Sequence, residues 1–228
     1  MPAKNATKQY IAESYYHLYN RGVEKRKIFL DEQDYAVFLS YLKEYLLPKD
    51  EKALKERLLS DISYKEKDSI LKKLRLKNFA TEISLIAYCL MPNHFHMLVK
   101  QESAGAIDAF MSSLSTRFSM YFNRKYDRVG PLYQGVYKAV LVETDEQLLH
   151  LTRYIHKQAL ASRGETLQEK QPCSYSEYLG KRKTEWVKPS DVLEFFSKRT
   201  GGTYDEFLRG EESHELIHGL TIDQIESN

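Results

Sequence analysis

EISLIAYCLMPNHFHMLV, residues 82–99, is the stretch on which the fold turns. Residues 82–91 are apolar and partly β-branched, as a strand buried on both faces is, and Pro92-Asn93 makes a turn. The chain then returns through His94, Phe95, His96, Met97, Leu98 and Val99 as an adjacent strand. Strand side chains alternate, rising about 3.3 Å per residue, so His94 and His96 share one face while Phe95 points into the core. Two imidazoles on a rigid strand can converge on one divalent ion. On spacing alone the plainer reading is a pair of histidines that only hydrogen-bond at a sheet edge.

Upstream, Tyr15, Tyr16, His17, Leu18, Tyr19 and Asn20 alternate as a strand that ends at Arg21-Gly22. Tyr35, Phe38, Leu39, Leu42 and Leu46 then trace a helix face stopped by Pro48. Residues 49–78 hold ten basic and six acidic residues with leucines at helical spacing, which predicts an exposed helical insertion. Downstream, Ile107, Phe110, Met111, Leu114, Phe118, Tyr121 and Phe122 predict a helix ended by Gly130-Pro131. Residues 136–143 read as a fourth strand. Thr144-Asp145-Glu146-Gln147 reads as a capping box opening a helix with Leu148, Leu151 and Ile155 inward.

Strand, helix, strand, strand, helix, strand, helix is the α+β order of a ferredoxin-like split βαβ antiparallel sheet. Two helices cover one face, and the other is left for a partner or the last helix. Past Gly164 the periodicity weakens. Residues 172–178 look like a loop, and 190–199 and 204–209 are short helical candidates. The expected division is a catalytic domain at 1–165 and a C-terminal helical extension with an acidic end at 166–228.

At 228 residues the chain suits one globular domain with additions. With 42% hydrophobic and 29% charged residues it is ordinary globular composition, not disorder. Cys89 and Cys173 form no CxxC pair, which speaks against a cysteine zinc site or a disulfide framework. No apolar run approaches the roughly 20 residues of a membrane span, and residues 1–8 carry no apolar leader, so a cytoplasmic protein is expected. The net charge of +2 hides an asymmetry: residues 201–228 carry one basic side chain, Arg209, against seven acidic ones. A basic body with an acidic end suits a phosphate-rich partner.

Tyr154 and Gln158 are four apart and hence neighbours on one helix face. If that helix crosses the histidine strand, a phenol and an amide oxygen reach the same ion, with Gln158 as third ligand and Tyr154 as nucleophile. In a chain with 17 tyrosines, an ordinary half-buried tyrosine is the competing reading. His17, on a neighbouring strand, stands behind the pair. His150 and His156 lie on the tyrosine helix, and His214 and His218 in the tail.

YHLYNRG at 16–22, YCLMPNHFHMLV at 88–99, RVGPLYQGVYK at 128–138 and YIHKQ at 154–158 together resemble the single-tyrosine HUH transposases, most nearly the branch associated with REP sequences. The resemblance runs from about residue 15 to 163, with four motifs in order. It implies a ferredoxin-like fold that cleaves single-stranded DNA beside a hairpin with magnesium or manganese. It sets His94 and His96 on the family's histidine pair, Tyr154 on its tyrosine and Gln158 on the polar residue that completes the metal site. The insertion at 49–78 and the chain beyond Gly164 depart from it, so the DNA target and the choice between monomer and homodimer do not carry over.

Such chemistry builds negative charge on phosphate oxygens, which a cation held by neutral ligands offsets. Attack by Tyr154 gives a 5′-phosphotyrosine and a free 3′-hydroxyl, keeping the bond energy for rejoining without a nucleotide cofactor. A free tyrosine has a pKa of about 10, so it needs activation, by the ion, by Lys157 or by a water held by His17. Arg21, Arg117, Arg124, Lys125, Arg128 and Lys138 lie in segments bordering the site and suit phosphate contacts. Tyr121, Tyr126 and Tyr133 suit base stacking or the core equally. The competing functions are a DNA-binding protein that has lost strand transfer and a metal nuclease that uses water.

Overall fold

The computed structural model describes residues 10–163, 166–197, 202–210 and 215–220. Four strands, β1 (Ser14–Arg21), β2 (Ile83–Met91), β3 (His94–Gln101) and β4 (Lys138–Val142), form an antiparallel sheet in the order β2-β3-β1-β4. This is the expected ferredoxin-like order. The central pair β1 and β3 sets Arg21 opposite His94, Tyr19 opposite His96 and His17 opposite Leu98.

Strand alternation sorts these residues onto two faces. Phe95, Met97 and Val99, with Tyr16 and Leu18, meet Phe38 and Leu42 of α1 (Glu32–Leu46) and Phe110, Leu114 and Phe118 of α4 (Ala106–Lys125). Each such fully buried side chain contributes about 1.5–3 kcal/mol. Helices α2 (Glu51–Leu58) and α3 (Tyr64–Arg75) form the expected insertion, closed by an Arg57–Glu66 ion pair of 2.8 Å. Helix α4 ends at Lys125, before the Gly130-Pro131 stop expected from sequence; Asp127 adopts a left-handed backbone (φ 48°). Lys125 and Tyr126 are drawn to Asp34 of α1, 2.8 Å from each.

The opposite face carries His17, Tyr19, His94, His96 and Leu98, and α5 (Asp145–Ala159) packs across it through Leu148, Leu151, Tyr154 and Ile155. Thr144 caps α5 by accepting from Gln147 N at 3.1 Å. The Gln147 side chain returns to Glu143 N at 2.8 Å rather than to the cap itself, so the expected capping box is half formed.

The chain after α5 differs most from expectation. Strands β5 (Leu160–Arg163) and β6 (Thr166–Glu169) form a hairpin that the sequence did not predict. Residues 172–174 of the segment expected as a loop at 172–178 pair with the edge of β2, with Cys173 opposite Cys89. Ser174 N donates to Tyr88 O at 3.0 Å, and Leu90 N donates to Pro172 O at 2.9 Å. Such pairing covers an edge that would otherwise present bare backbone groups. It is followed by α6 (Tyr175–Tyr178), α7 (Ser190–Phe195) and α8 (Tyr204–Arg209). Ile217 and Leu220 are buried in the apolar cluster that also holds Tyr154 and Ile155. His214, the end of the helix expected at 190–199 and much of the acidic end lie outside the described residues. No helix among the described residues is long and apolar enough to cross a membrane.

Candidate active site

Gly22 closes β1, and a Cβ there would meet Arg26 O at 2.2 Å, so only glycine fits. Its N–H donates to Asn93 O at 2.9 Å, clamping the β2–β3 turn against the end of β1. The turn leads directly into the histidine pair. His94 Nδ1 lies 2.7 Å from Asn93 Oδ1, and the His94 and His96 rings are 4.9 Å apart and nearly perpendicular at 87°.

His96 is fully buried. Its Nδ1 lies 2.9 Å from His17 Nε2, and His17 Nδ1 lies 2.5 Å from the carbonyl oxygen of Leu220. His96 Nε2 is buried with no hydrogen-bond partner among the described residues. Burial pushes the His17 imidazole down to about 4, against a small opposing pull from the Leu220 carbonyl. Burial also holds His96 well below the usual histidine range, helped by repulsion from His17 and His94. The two buried rings are therefore neutral at pH 7.

The Tyr154 ring stands edge-on to His96, with centroids 5.5 Å apart, and 6.4 Å from His17. Helix α5 thus brings together the phenol and the imidazoles that the sequence could only place on separate elements. Gln158 lies one turn further along α5, half-buried. The helix is held by His156, whose Nδ1 lies 2.6 Å from the Tyr204 hydroxyl and Nε2 2.8 Å from Ser174 Oγ. Tyr154 itself is only 5% exposed.

Two participants were missed in the sequence. Tyr19 lies on the same strand face, its ring 5.9 Å from that of His96, and strand alternation from His17 would have found it. No local signal marks the Leu220 carbonyl, which arrives from 203 residues away. Lys157 is half-buried and donates to Gly210 O at 3.0 Å.

The six predicted phosphate-binding cations fall into two groups. Arg117 on α4 pairs with Glu44 at 2.7 Å and stacks over Tyr41 at 3.8 Å, on the sheet face away from the histidines. Lys125 bridges Asp31 and Asp34 at 2.7 and 2.8 Å. These two are engaged in holding α1 to α4, which corrects their assignment to the border of the site. Arg21, opposite His94, holds Gln134 Oε1 at 3.1 Å, and Arg128 holds Asn123 at 2.8 Å. Arg124 and Lys138 are exposed. The stacking candidates are likewise committed: Tyr121 and Tyr126 donate to Asp34 at 2.9 and 2.8 Å, and Tyr133 is buried edge-on to Phe95.

Among the described residues, no three His, Cys, Asp or Glu side chains gather around a point that would hold a metal. A set built on His94 and His96 needs an amide to complete it, and Gln158 has the right chemistry. The buried His96 ring and an amide are neutral donors, which would leave an ion's charge intact for a phosphate.

The family model "Transposase IS200 like" matches residues 55–158, a span containing His94, His96, Tyr154 and Gln158. No curated protein matches the sequence. Among solved structures, a REP-associated tyrosine transposase bound to a REP hairpin is similar with a TM-score of 0.46 and 10% identity, over 81% of this chain and 97% of that one. A provisionally assigned transposase of Deinococcus radiodurans R1 is similar with a TM-score of 0.36 and 14% identity, over 68% and 97%.

Proposed function

We propose that this chain, whose residues 55–158 match the IS200-like transposase model, cuts and rejoins single-stranded DNA beside hairpins, with Tyr154 as nucleophile. The observation that carries this reading is the meeting of Tyr154 with His96, ring centroids 5.5 Å apart on a buried sheet face. His94, His96 and Gln158 would hold magnesium or manganese. The fit rests on a buried His96 Nε2 with no hydrogen-bond partner among the described residues, and on the neutrality of its ring. When bound, the ion offsets the negative charge that builds on the phosphate oxygens.

Tyr154 Oη forms a bond to phosphorus, the bond from phosphorus to the 3′ oxygen breaks, and that oxygen leaves as a free 3′-hydroxyl. The 5′ phosphate stays on the tyrosine, and the reverse reaction with another 3′-hydroxyl rejoins the strand. The phenol proton would pass to solvent admitted with the DNA, and the departing 3′ oxygen would gain one; both nitrogens of His17 are engaged, which leaves it no lone pair to hold a water. Arg21, Arg124, Arg128 and Lys138 would contact DNA phosphates, a contribution that fades as salt rises.

The low exposure of Tyr154 favours a second reading, a DNA-binding protein without strand transfer. Incubation with a labelled hairpin oligonucleotide and either metal separates the readings. A protein–DNA adduct that survives denaturation is expected, and Tyr154→Phe should abolish it while binding changes less than about twofold. Cleavage without adduct would mean a water-using nuclease, retention without cleavage a binder, and an adduct persisting in Tyr154→Phe would remove this tyrosine from the chemistry.

A further inference from the structure

A carbonyl oxygen has no hydrogen to give, so in the 2.5 Å contact between His17 Nδ1 and Leu220 O the imidazole must donate. A neutral imidazole with its proton on Nδ1 has a lone pair on Nε2. That lone pair faces His96 Nδ1 at 2.9 Å, so His96 Nδ1 must in turn donate. The proton of His96 is then accounted for, and its Nε2 carries a bare lone pair. That atom is buried and has no hydrogen-bond partner among the described residues. His94 is oriented the same way, since Asn93 Oδ1 at 2.7 Å accepts from its Nδ1.

We propose that His17 is a positioning residue: its Nε2 accepts from His96 Nδ1, which holds His96 in the tautomer whose Nε2 can ligate a metal, while the Leu220 carbonyl sets the orientation of His17. The proposal rests on the reading of His94 and His96 as metal ligands and adds a group that touches neither metal nor DNA. Three features support a built arrangement. Both rings are fully buried, so water does not compete for their nitrogens. The rings are nearly parallel, 18° apart with centroids at 5.0 Å, which fixes the line of the hydrogen bond between them. His17 lies on the central strand β1, whose register against β3 leaves it little freedom to turn away. Histidines that hold metals commonly have their second nitrogen fixed in this way, and removing the fixing group weakens metal affinity by about 10- to 100-fold.

The test is long-range proton–nitrogen correlation NMR of the histidine rings in the metal-free full chain, together with calorimetric binding of manganese. In the wild-type chain both His17 and His96 are expected to carry the proton on Nδ1. In His17→Leu, His96 should move toward the Nε2-protonated form and manganese affinity should fall about 10- to 100-fold. In His17→Gln, where an amide oxygen can again accept, both should recover most of the way. Finding His96 protonated on Nε2 in the wild-type chain would overturn the proposal, as would His17→Leu with unchanged tautomer and unchanged affinity. If the wild-type chain takes up no manganese, the metal reading fails, yet the tautomer comparison still decides what His17 does to His96.

Discussion

His156 sits two residues past Tyr154, and the fold uses it for a different purpose. Its ring is fully buried between the Tyr204 and Ser174 hydroxyls, which can donate or accept and so satisfy a neutral imidazole. Burial pushes it down to about 3, as burial pushes His17 down to about 4. Above pH 6.5 each ring is neutral in both folded and unfolded chains and adds no pH dependence. Below it the unfolded chain binds a proton that the folded ring refuses, so stability falls as pH falls, down to about 4 for His17 and about 3 for His156. The expected slope is roughly 1.4 kcal/mol per pH unit for each ring. Urea unfolding without metal, followed from pH 8 to pH 4.5, checks this. A flat free energy down to pH 5 would mean that these rings are not buried neutral.

Between elements, the junction of α1 and α4 centres on one buried carboxylate, beside the exposed Asp31 and the Arg117–Glu44 pair. Asp34 is fully buried, accepting from Leu30 N at 2.8 Å and lying 2.9, 2.8 and 2.8 Å from donors on Tyr121, Tyr126 and Lys125. Burial alone would raise its carboxyl, but Lys125 and the surrounding donors hold it below the usual carboxylate range. Removing one partner of a buried ion pair strands the other, so Asp34→Ala should lose about 3 kcal/mol. An unchanged urea midpoint would contradict that role. Because Lys125 is engaged here, Lys125→Ala should lower stability and leave affinity for single-stranded DNA within twofold, whereas Arg21→Ala should weaken binding. A large loss of DNA affinity in Lys125→Ala would restore it to the interface.

Over the whole molecule, the extension is part of the core and not an appendage. Cys173, Tyr175, Tyr178, Val192, Tyr204 and Leu208 are buried in the same cluster as Leu151, Tyr154 and Ile155 of α5. A chain ended after Arg163 would expose that face and the edge of β2 together, so it should aggregate or fail to unfold cooperatively. A soluble truncated chain with a sharp thermal transition would show that the extension is dispensable. The four sheet strands, the helices that cover them and the placing of His94 and His96 on one face were legible in the residue pattern alone. Period-2 and period-3.6 patterns are written within about ten residues, and the residues that read them correctly, such as Phe95, Leu98 and Ile155, needed no distant information. The pattern did not reveal the strand pairing of Cys173, since Pro172 and Ser174 read locally as loop, nor the commitment of Arg117 and Lys125 to acidic partners far along the chain. That Tyr154 faces His96, that His17 stands between His96 and the Leu220 carbonyl 203 residues away, and that all of them are shielded from water came from the folded packing. Those are meetings between residues tens to hundreds of positions apart, selected by how apolar faces pack, and packing has no period that a local pattern can display.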